Sequence, residues 1–268
     1  AGIGSKTGAS VTFGSESDKW MSDGLVGYWK FDESATTSGA VDSSGNGNDG
    51  TYEGNASTTA GKFGNGFVGD GVGDYVDMEN IQEINNAEEI TISAWMKRNE
   101  LNSRVLIGKT LLNGSITVLF WGDGNIVFDL ANGTDSFGTY PLNDTLWHHL
   151  VLVFNGNLLG DSNRLKGYVD GEKISLSYSE AIPDRTSADP SSFYVGRVFS
   201  NGKIDEVRVY NRALSPDEVQ KLYEWAPGPV AHWKFDEMEG TTAYDSAAST
   251  TFSGGNHGSI NGAIWTRG

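Results

Sequence analysis

The sequence predicts an all-β protein: two antiparallel sheets packed as a jelly-roll sandwich, with one short C-terminal helix. The 36 Gly residues, accompanied by many Asn, Ser and Thr, indicate a chain rich in tight turns. Short stretches that alternate apolar and polar residues recur between these turns, as expected of half-buried strands. Apolar residues make up 37% of the chain and include eight Trp, which is enough for a buried core.

Eight stretches have the alternation of strands, and the Asp170-Gly171 pair between two of them predicts a two-residue hairpin turn. In chain order they are EITISAWMKR (89–98), SITVLFW (115–121), NIVFDL (125–130), WHHLVLVF (147–154), RLKGYV (164–169), KISLS (173–177), SFYVGR (192–197) and KIDEVRVY (203–210).

A helix is predicted to follow the last of these strands. Ser215 is a suitable N-cap, Pro216 suits the first helical position, and Glu218 completes a capping box. Leu214 can pack on Val219 as a hydrophobic staple. The face that we expect to lie on the sheet consists of Val219, Leu222 and Tyr223.

The five residues WKFDE occur twice, at 29–33 and at 233–237, so the repeat is about one domain long. Two prolines flank a glycine just before the second copy, which is typical of a linker. We therefore predict a complete domain over 24–225, preceded at 1–23 by a linker or the tail of another domain. Residues 226–268 are predicted to form a linker and the truncated start of a second repeat.

Seven motifs resemble, in order, the laminin-G-like, concanavalin A-like jelly-roll domain of secreted microbial multidomain proteins. They are GLVGYWKFDE, DSSGNGNDG, GKFGNGFVGDGVGDYVDM, EEITISAWMKR, LWHHLVLVFNG, GYVDGEK and GKIDEVRVYNRALSPDEVQKLY. The resemblance implies two curved antiparallel sheets and an extracellular or cell-surface location. It also implies a structural calcium ion in many members, glycan binding in some, and no shared catalytic activity.

The charge of the chain excludes several kinds of partner. A net charge of -16 repels phosphate backbones and anionic headgroups, so we expect neither nucleic acid nor a membrane surface as a partner. No apolar run is long enough to span a bilayer, so membrane insertion is not expected either. The absence of Cys excludes disulfides, thiolate zinc sites and Cys nucleophiles.

A calcium site is the predicted metal centre, because calcium takes six to eight oxygen ligands from carboxylates, amides and carbonyls. Strict alternation places Asp205 on the face of Val207 and Val209, where a buried carboxylate needs a partner. Asp32 is expected at the end of the YWKF strand. The alternative, which the sequence leaves open, is that Asp32 and Asp205 accept backbone N–H bonds.

The resemblance implies that the FDE segment, the GNGNDG loop and the IDE strand meet around this ion. The residues predicted to bind calcium are Asp32, Asn46, Asn48 and Asp205. The other reading of the loop is an ordinary turn rich in Asn and Asp.

No arrangement of catalytic residues is apparent, and we expect the chain not to be an enzyme. The paired carboxylates of jelly-roll glycosidases have no counterpart in the sequence. His148 and His149 are adjacent in a strand, so their side chains point to opposite faces and cannot hold one metal together.

Binding requires less than catalysis: exposed aromatic rings with amide and carboxylate groups beside them suit sugars. The predicted ligand-binding residues, placed at loop tips, are Trp121, Tyr140, Asp123 and Asn125, with Phe137 and Asn132 as further members. Trp121 could instead be a sheet-packing residue.

These patterns together predict a non-catalytic, calcium-stabilised binding module of an extracellular multidomain protein. Its expected partner is a glycan or another cell-surface polymer, with a role in adhesion. The alternative is a structural spacer or filament subunit, in which the incomplete repeat at 226–268 adds strands to another copy of the chain.

Overall fold

The structure is a computed structural model, and it describes residues 16–33, 39–109, 116–132, 136–197, 200–225, 240–243 and 258–262. The chain divides into two compact units, one formed by residues 1–11 and 22–224 and the other by residues 12–21 and 225–268.

In the described part of the first unit the chain forms sixteen strands, two α-helices and a 3-10 helix at Gln82–Ile84. The strands are β1 (Leu25–Trp29), β2 (Thr51–Glu53), β3 (Ser57–Ala60), β4 (Asn65–Asp70), β5 (Tyr75–Asp77), β6 (Glu89–Arg98), β7 (Val105–Gly108), β8 (Ile116–Phe120), β9 (Asn125–Leu130), β10 (Phe137–Pro141), β11 (His148–Asn155), β12 (Leu165–Val169), β13 (Glu172–Lys173), β14 (Ser177–Tyr178), β15 (Tyr194–Val195) and β16 (Asn201–Tyr210). The helices are α1 (Asp161–Arg164) and α2 (Pro216–Glu224).

The second unit is described only in part. It contains a 3-10 helix at Glu16–Met21 and the antiparallel pair β17 (Thr242–Ala243) and β18 (Gly258–Ser259). The strand-forming stretches of the second repeat, GPVAHWKF (228–235) and SINGAIWT (259–266), lie wholly or partly outside the described residues.

Two antiparallel sheets form the sandwich, which confirms the predicted all-β jelly-roll class. The first has the order β13-β12-β11-β6-β16-β4-β3, and β1 pairs with the second half of β16. The second has the order β14-β10-β9-β8-β7-β15-β5-β2. Several pairs join strands that are far apart in the sequence, such as β1–β16, β4–β16 and β6–β16, so the sheets bring distant parts of the chain together.

The main core lies between the sheets, and alternation decides which residues enter it. Ile90, Ile92 and Ala94 of β6 are fully buried there with Leu150 and Leu152 of β11. Burial of such side chains contributes roughly 1.5–3 kcal/mol each relative to their exposure.

The opposite face of the first sheet is covered by α2. Trp95 stacks on Tyr223 of this helix with ring centroids 5.6 Å apart, and His149 lies beneath the same ring. Trp95 is therefore buried, but outside the space between the sheets.

A β-bulge in β16 changes the predicted orientation of Asp205. Glu206 has a φ of 55°, and the pairing with β6 shifts register between Asp205 and Arg208. The extra residue reverses the alternation, so Val207 and Val209 enter the core while Asp205 lies on the other face, opposite Trp95 in β6. The prediction that Asp205 shares their face is wrong.

The bulge creates a compact buried polar group beside β1. The guanidinium of Arg208 donates to Glu206 Oε2 at 2.8 Å and forms an ion pair with it. The hydroxyl of Tyr28 donates to the same oxygen at 2.5 Å, and the Arg208 guanidinium lies 4.0 Å from the Tyr28 ring centroid. These contacts tie the first strand to the last.

Candidate ligand-binding site

The loop at residues 42–50, predicted to supply calcium ligands, is organised by Asp42. Its carboxylate accepts hydrogen bonds from the backbone N–H groups of Tyr28 (3.0 Å), Ser44 (2.8 Å) and Asn48 (3.0 Å) and from the Ser44 hydroxyl (2.8 Å). Both carboxylate oxygens are thus used within the protein, and the sequence did not single this residue out.

Asn46 and Asn48 use their side-chain amides to hold the loop on strand β1. The Asn46 amide donates to the carbonyl of Leu25 at 2.8 Å, and the Asn48 amide donates to the carbonyl of Val26 at 2.9 Å. Both predicted ligands therefore lie near the start of β1.

Asp32 and Asp205 meet at a different place, the turn at residues 61–65 between β3 and β4. Asp205 Oδ2 accepts the N–H groups of Lys62 (2.8 Å) and Phe63 (2.9 Å). Asp32 follows β1, which ends at Trp29 rather than continuing through Phe31, and its Oδ1 accepts the N–H group of Asn65 at 2.9 Å.

The four residues predicted to bind calcium are therefore divided between two places and do not fit one ion. Their oxygens would have to lie about 2.3–2.6 Å from a common centre, whereas Asn46 and Asp205 lie near opposite ends of the β1–β16 pairing. In the described ranges, no three His, Asp or Glu side chains form a group that could hold a metal. Calcium binding stays a prediction.

Asp205 is fully buried, and its Oδ1 has no hydrogen-bond partner among the described residues. Burial raises the pKa of its carboxyl to about 8, although the N–H groups of Phe63 and Lys62 oppose the shift. The carboxyl is therefore largely protonated at neutral pH.

Of the predicted ligand-binding residues, Tyr140 lies within a strand, whereas Trp121, Asp123 and Asn125 lie at the β8–β9 turn. Tyr140 lies in β10 opposite Ile126 and packs against the core, so it is not at a loop tip as predicted. The Asp123 carboxylate accepts the backbone N–H (3.0 Å) and side-chain amide (2.8 Å) of Asn125, which closes the β8–β9 hairpin. Trp121, at the same turn, is 36% exposed.

A polar cleft of about 400 Å³ lies where β4, the β6–β7 loop and β16 meet, and we call it the rim cleft; Trp121 does not line it but contacts one lining residue, Arg104. The Arg104 guanidinium, which lines it, lies 4.3 Å from the centroid of the Trp121 ring. The strand β4 end, the β6–β7 loop and the start of β16 form its walls. The lining residues are Asp70, Gly71, Glu100, Asn102, Ser103, Arg104 and Asn201.

Sequence reasoning found Trp121 but missed every lining residue. The segment RNELNSR at 98–104 has the composition of a polar loop, which is the only signal it carries. Nothing local in the sequence places residues 70, 100 and 201 together, since β4, β6 and β16 become neighbours only through sheet pairing.

Arg98 holds the loops around the rim cleft. It is fully buried, and its guanidinium donates to the carbonyls of Asp144 (2.8 Å), Leu101 (3.1 Å) and Leu142. It also lies 5.0 Å from the centroid of the Phe120 ring, at the end of β8. One side chain therefore fixes the β6–β7 and β10–β11 loops against the strand that precedes Trp121.

The two adjacent histidines point to opposite faces, as predicted. His148 bridges Asp170 at 2.7 Å and Asp144 at 2.9 Å. Burial lowers the pKa of His148, but the hydrogen bonds to both carboxylates outweigh it, so the pKa is raised. His149 bonds Ser93 at 2.8 Å, and burial lowers its pKa to about 3. His148 thus supports the same β10–β11 loop as Arg98.

Comparisons with known proteins identify the family. The model of the concanavalin A-like lectin/glucanases superfamily (Laminin_G_3) matches residues 70–220, more than half of the chain. A search of curated proteins found no match. No helix among the described residues is long and apolar enough to cross a membrane.

Solved structures share the fold at low sequence identity. Domain 4 of AbnA, a GH43 extracellular arabinanase from Geobacillus stearothermophilus, was solved in complex with arabinotriose. It is 20% identical with a TM-score of 0.52, and the match covers 74% of this chain and 98% of that one.

Two toxin domains are similar as well. The receptor binding domain of botulinum neurotoxin C/D mosaic serotype is 19% identical, with a TM-score of 0.57 and coverage of 76% of this chain and 51% of that one. The binding domain of Paraclostridial Mosquitocidal Protein 1 is 18% identical, with a TM-score of 0.57 and coverage of 76% and 52%. The chain thus spans about half the length of these domains.

The sheet order, the family match and the shared fold agree with the motifs quoted from the sequence. The chain belongs to the concanavalin A-like lectin/glucanases superfamily.

Proposed function

We propose that this chain is a non-catalytic module of an extracellular protein and that it binds polysaccharide in the rim cleft. The observation that carries the proposal is a cleft lined by both hydrogen-bond donors and acceptors, one of which, Arg104, stacks on the partly exposed ring of Trp121. Sugars present apolar C–H faces to aromatic rings and hydroxyl groups to polar side chains.

The size of the rim cleft and its support are consistent with this function. Its volume falls in the range of about 300–1,000 Å³ that is usual for small-molecule sites. Arg98 fixes the β6–β7 loop, which lines the cleft, through the backbone carbonyl of Leu101, and this favours a cleft that is formed before a ligand arrives. The arabinotriose in the arabinanase domain supports the ligand class by analogy of fold alone.

Titration with polysaccharides and a matched pair of variants tests the proposal. Arabinan, galactan and β-glucan serve as probes, with binding measured by calorimetry or affinity electrophoresis. We expect Trp121→Ala to weaken binding at least about tenfold, or about 1.4 kcal/mol.

Leu159→Ala is the control, because Leu159 is 83% exposed but lies in the β11–α1 loop, away from the rim cleft. It should keep the parent affinity, and both variants should keep the parent melting temperature. Equal binding by Trp121→Ala and the parent would exclude the Trp121 ring as part of the site, and Arg104→Ala, which removes a lining side chain, then tests the cleft itself: equal binding by that variant would exclude the rim cleft.

The remaining predictions from the sequence stand beside this proposal as predictions. Calcium stabilisation is tested below by chelation. Assembly by strand addition depends on residues 226–268, most of which lie outside the described ranges.

A further inference from the structure

We infer that the rim cleft selects uncharged sugar chains and discriminates against acidic ones, an inference that rests on the proposed polysaccharide binding. The charged side chains that line the cleft are Asp70, Glu100 and Arg104, so two carboxylates face one guanidinium. The chain as a whole adds 35 acidic against 19 basic residues. A ligand carboxylate or sulfate therefore meets a negative local potential within a negative molecule.

Asp70 is ionised at neutral pH. A hydrogen bond from the backbone N–H of Val72 lowers the pKa of its carboxyl, and the side-chain amide of Asn55 acts in the same direction. Its negative charge is thus a fixed feature of the cleft wall.

Arg104 is held by stacking rather than by an ion pair. Its guanidinium lies over the Trp121 ring, and neither Glu100 nor any other described carboxylate forms a salt bridge or hydrogen bond with it. Stacking restricts the plane of the guanidinium but leaves its N–H groups able to donate to a ligand.

This arrangement matches hydroxyl groups better than it matches anions. A sugar hydroxyl both donates and accepts, so it can donate to the Glu100 carboxylate while it accepts from Arg104 or the Asn102 amide. A ligand carboxylate can only accept. A ligand carboxylate would accept hydrogen bonds from Arg104, but it could not donate to the Glu100 carboxylate and would be repelled by it. This repulsion is a means of rejecting acidic ligands.

The dependence of binding affinity on salt concentration distinguishes a preference based on charge from a difference in affinity with another cause. Repulsion between an acidic polymer and the protein is screened as ionic strength rises, because the Debye length shortens from roughly 30 Å at 0.01 M to 10 Å at 0.1 M. Binding of a neutral chain should change little over the same range, whereas binding of an acidic chain should strengthen.

The experiment compares neutral and acidic probes with the full chain at about 0.02 M and about 0.3 M salt. Arabinan, galactan and β-glucan are the neutral probes, and polygalacturonate and heparin are the acidic ones. A neutral oligosaccharide that binds is then compared with the same oligosaccharide after its primary hydroxyls have been oxidised to carboxylates. We expect the oxidised form to bind at least about tenfold more weakly at low salt.

Glu100→Gln should reduce the difference in affinity between the neutral and the oxidised oligosaccharide, because the amide removes one negative charge and can donate to the ligand carboxylate. Glu180→Gln is the matched control, since Glu180 is an exposed acid outside the cleft, and it should leave this difference unchanged. Equal or tighter binding of the oxidised form, or equal effects of the two variants, would overturn the inference. Binding of none of the probes would overturn the proposed function itself.

Discussion

Two buried ionisable side chains of this protein, Arg98 and Asp205, hold backbone groups of loops and turns. Arg98 satisfies carbonyls in two loops, and Asp205 satisfies two N–H groups of the turn at 61–65. Buried backbone groups without partners cost roughly 1–3 kcal/mol each, so a single side chain with several backbone bonds has a large effect on local structure.

Asp205 should make stability depend on pH. The pKa of its carboxyl is 3.8 in the reference state and about 8 in the folded protein. Between these values the folded state holds one proton more than the unfolded state. The contribution of Asp205 to the free energy of unfolding is therefore fully present below the lower pKa. It falls by about 1.4 kcal/mol per pH unit between the two pKa values and is lost once the pH has risen through the folded pKa.

Asp205→Asn tests this effect, with urea unfolding measured from about pH 4 to about pH 9 in the presence of a chelator. The Asn Oδ1 can accept the same two N–H groups, and its amide stands where the protonated carboxyl oxygen was. We expect the variant to be more stable than the parent above pH 8 and similar near pH 4. Parallel pH profiles for the two proteins would show that Asp205 does not titrate as proposed.

Among the elements, α2 depends on contacts at its first turn. The Ser215 N–H donates to Glu218 Oε2 at 2.7 Å, and the Glu218 N–H donates to the Ser215 hydroxyl at 3.3 Å. These two bonds are the predicted capping box. The helix then covers the outer face of the first sheet through Val219, Leu222 and the Tyr223–Trp95 stack.

Ser215→Ala should lower the free energy of unfolding by about 1 kcal/mol, because one helix N–H loses its acceptor. Thermal or urea unfolding measures the change. Ser215→Thr keeps the hydroxyl and is the control, expected to remain within about 0.5 kcal/mol of the parent. An alanine variant as stable as the threonine variant would mean that the cap contributes nothing measurable.

At the scale of the whole molecule, both sheets bring loops of one end together around the rim cleft, while the predicted calcium ligands remain apart. Asp32 and Asp205 already accept N–H groups of the turn at 61–65. The net charge of -16 attracts cations in general but does not collect ligands at one point.

Removal of divalent cations with EDTA tests whether the intact chain is stabilised by a bound calcium ion. Because the four predicted ligands lie at two separate places rather than around one point, we expect no ion held by all four, and we therefore expect EDTA to leave the melting temperature unchanged. Magnesium is the control addition after EDTA. A fall in melting temperature that calcium but not magnesium restores would support the structural calcium ion predicted from the sequence and contradict our expectation.

Local patterns allowed several elements to be predicted from the sequence. Strands β6 and β9 coincide with the predicted 89–98 and 125–130. Asp170 and Gly171, with φ of 50° and 83°, form the predicted two-residue turn between β12 and β13. KISLS was predicted as one strand, but only its ends belong to β13 and β14.

The sequence by itself determined the class of fold, the capped helix and the family, because alternation, turn residues and capping residues act over a few positions. Tertiary structure decided the face of Asp205, the place of Tyr140 in the sheet and the existence of the rim cleft. The bulge at Glu206 reverses which side chains of β16 face the core, and its position is set by the pairing of β16 with β6 on both sides of it. The cleft likewise depends on pairing between segments separated by more than a hundred residues, which no local pattern encodes.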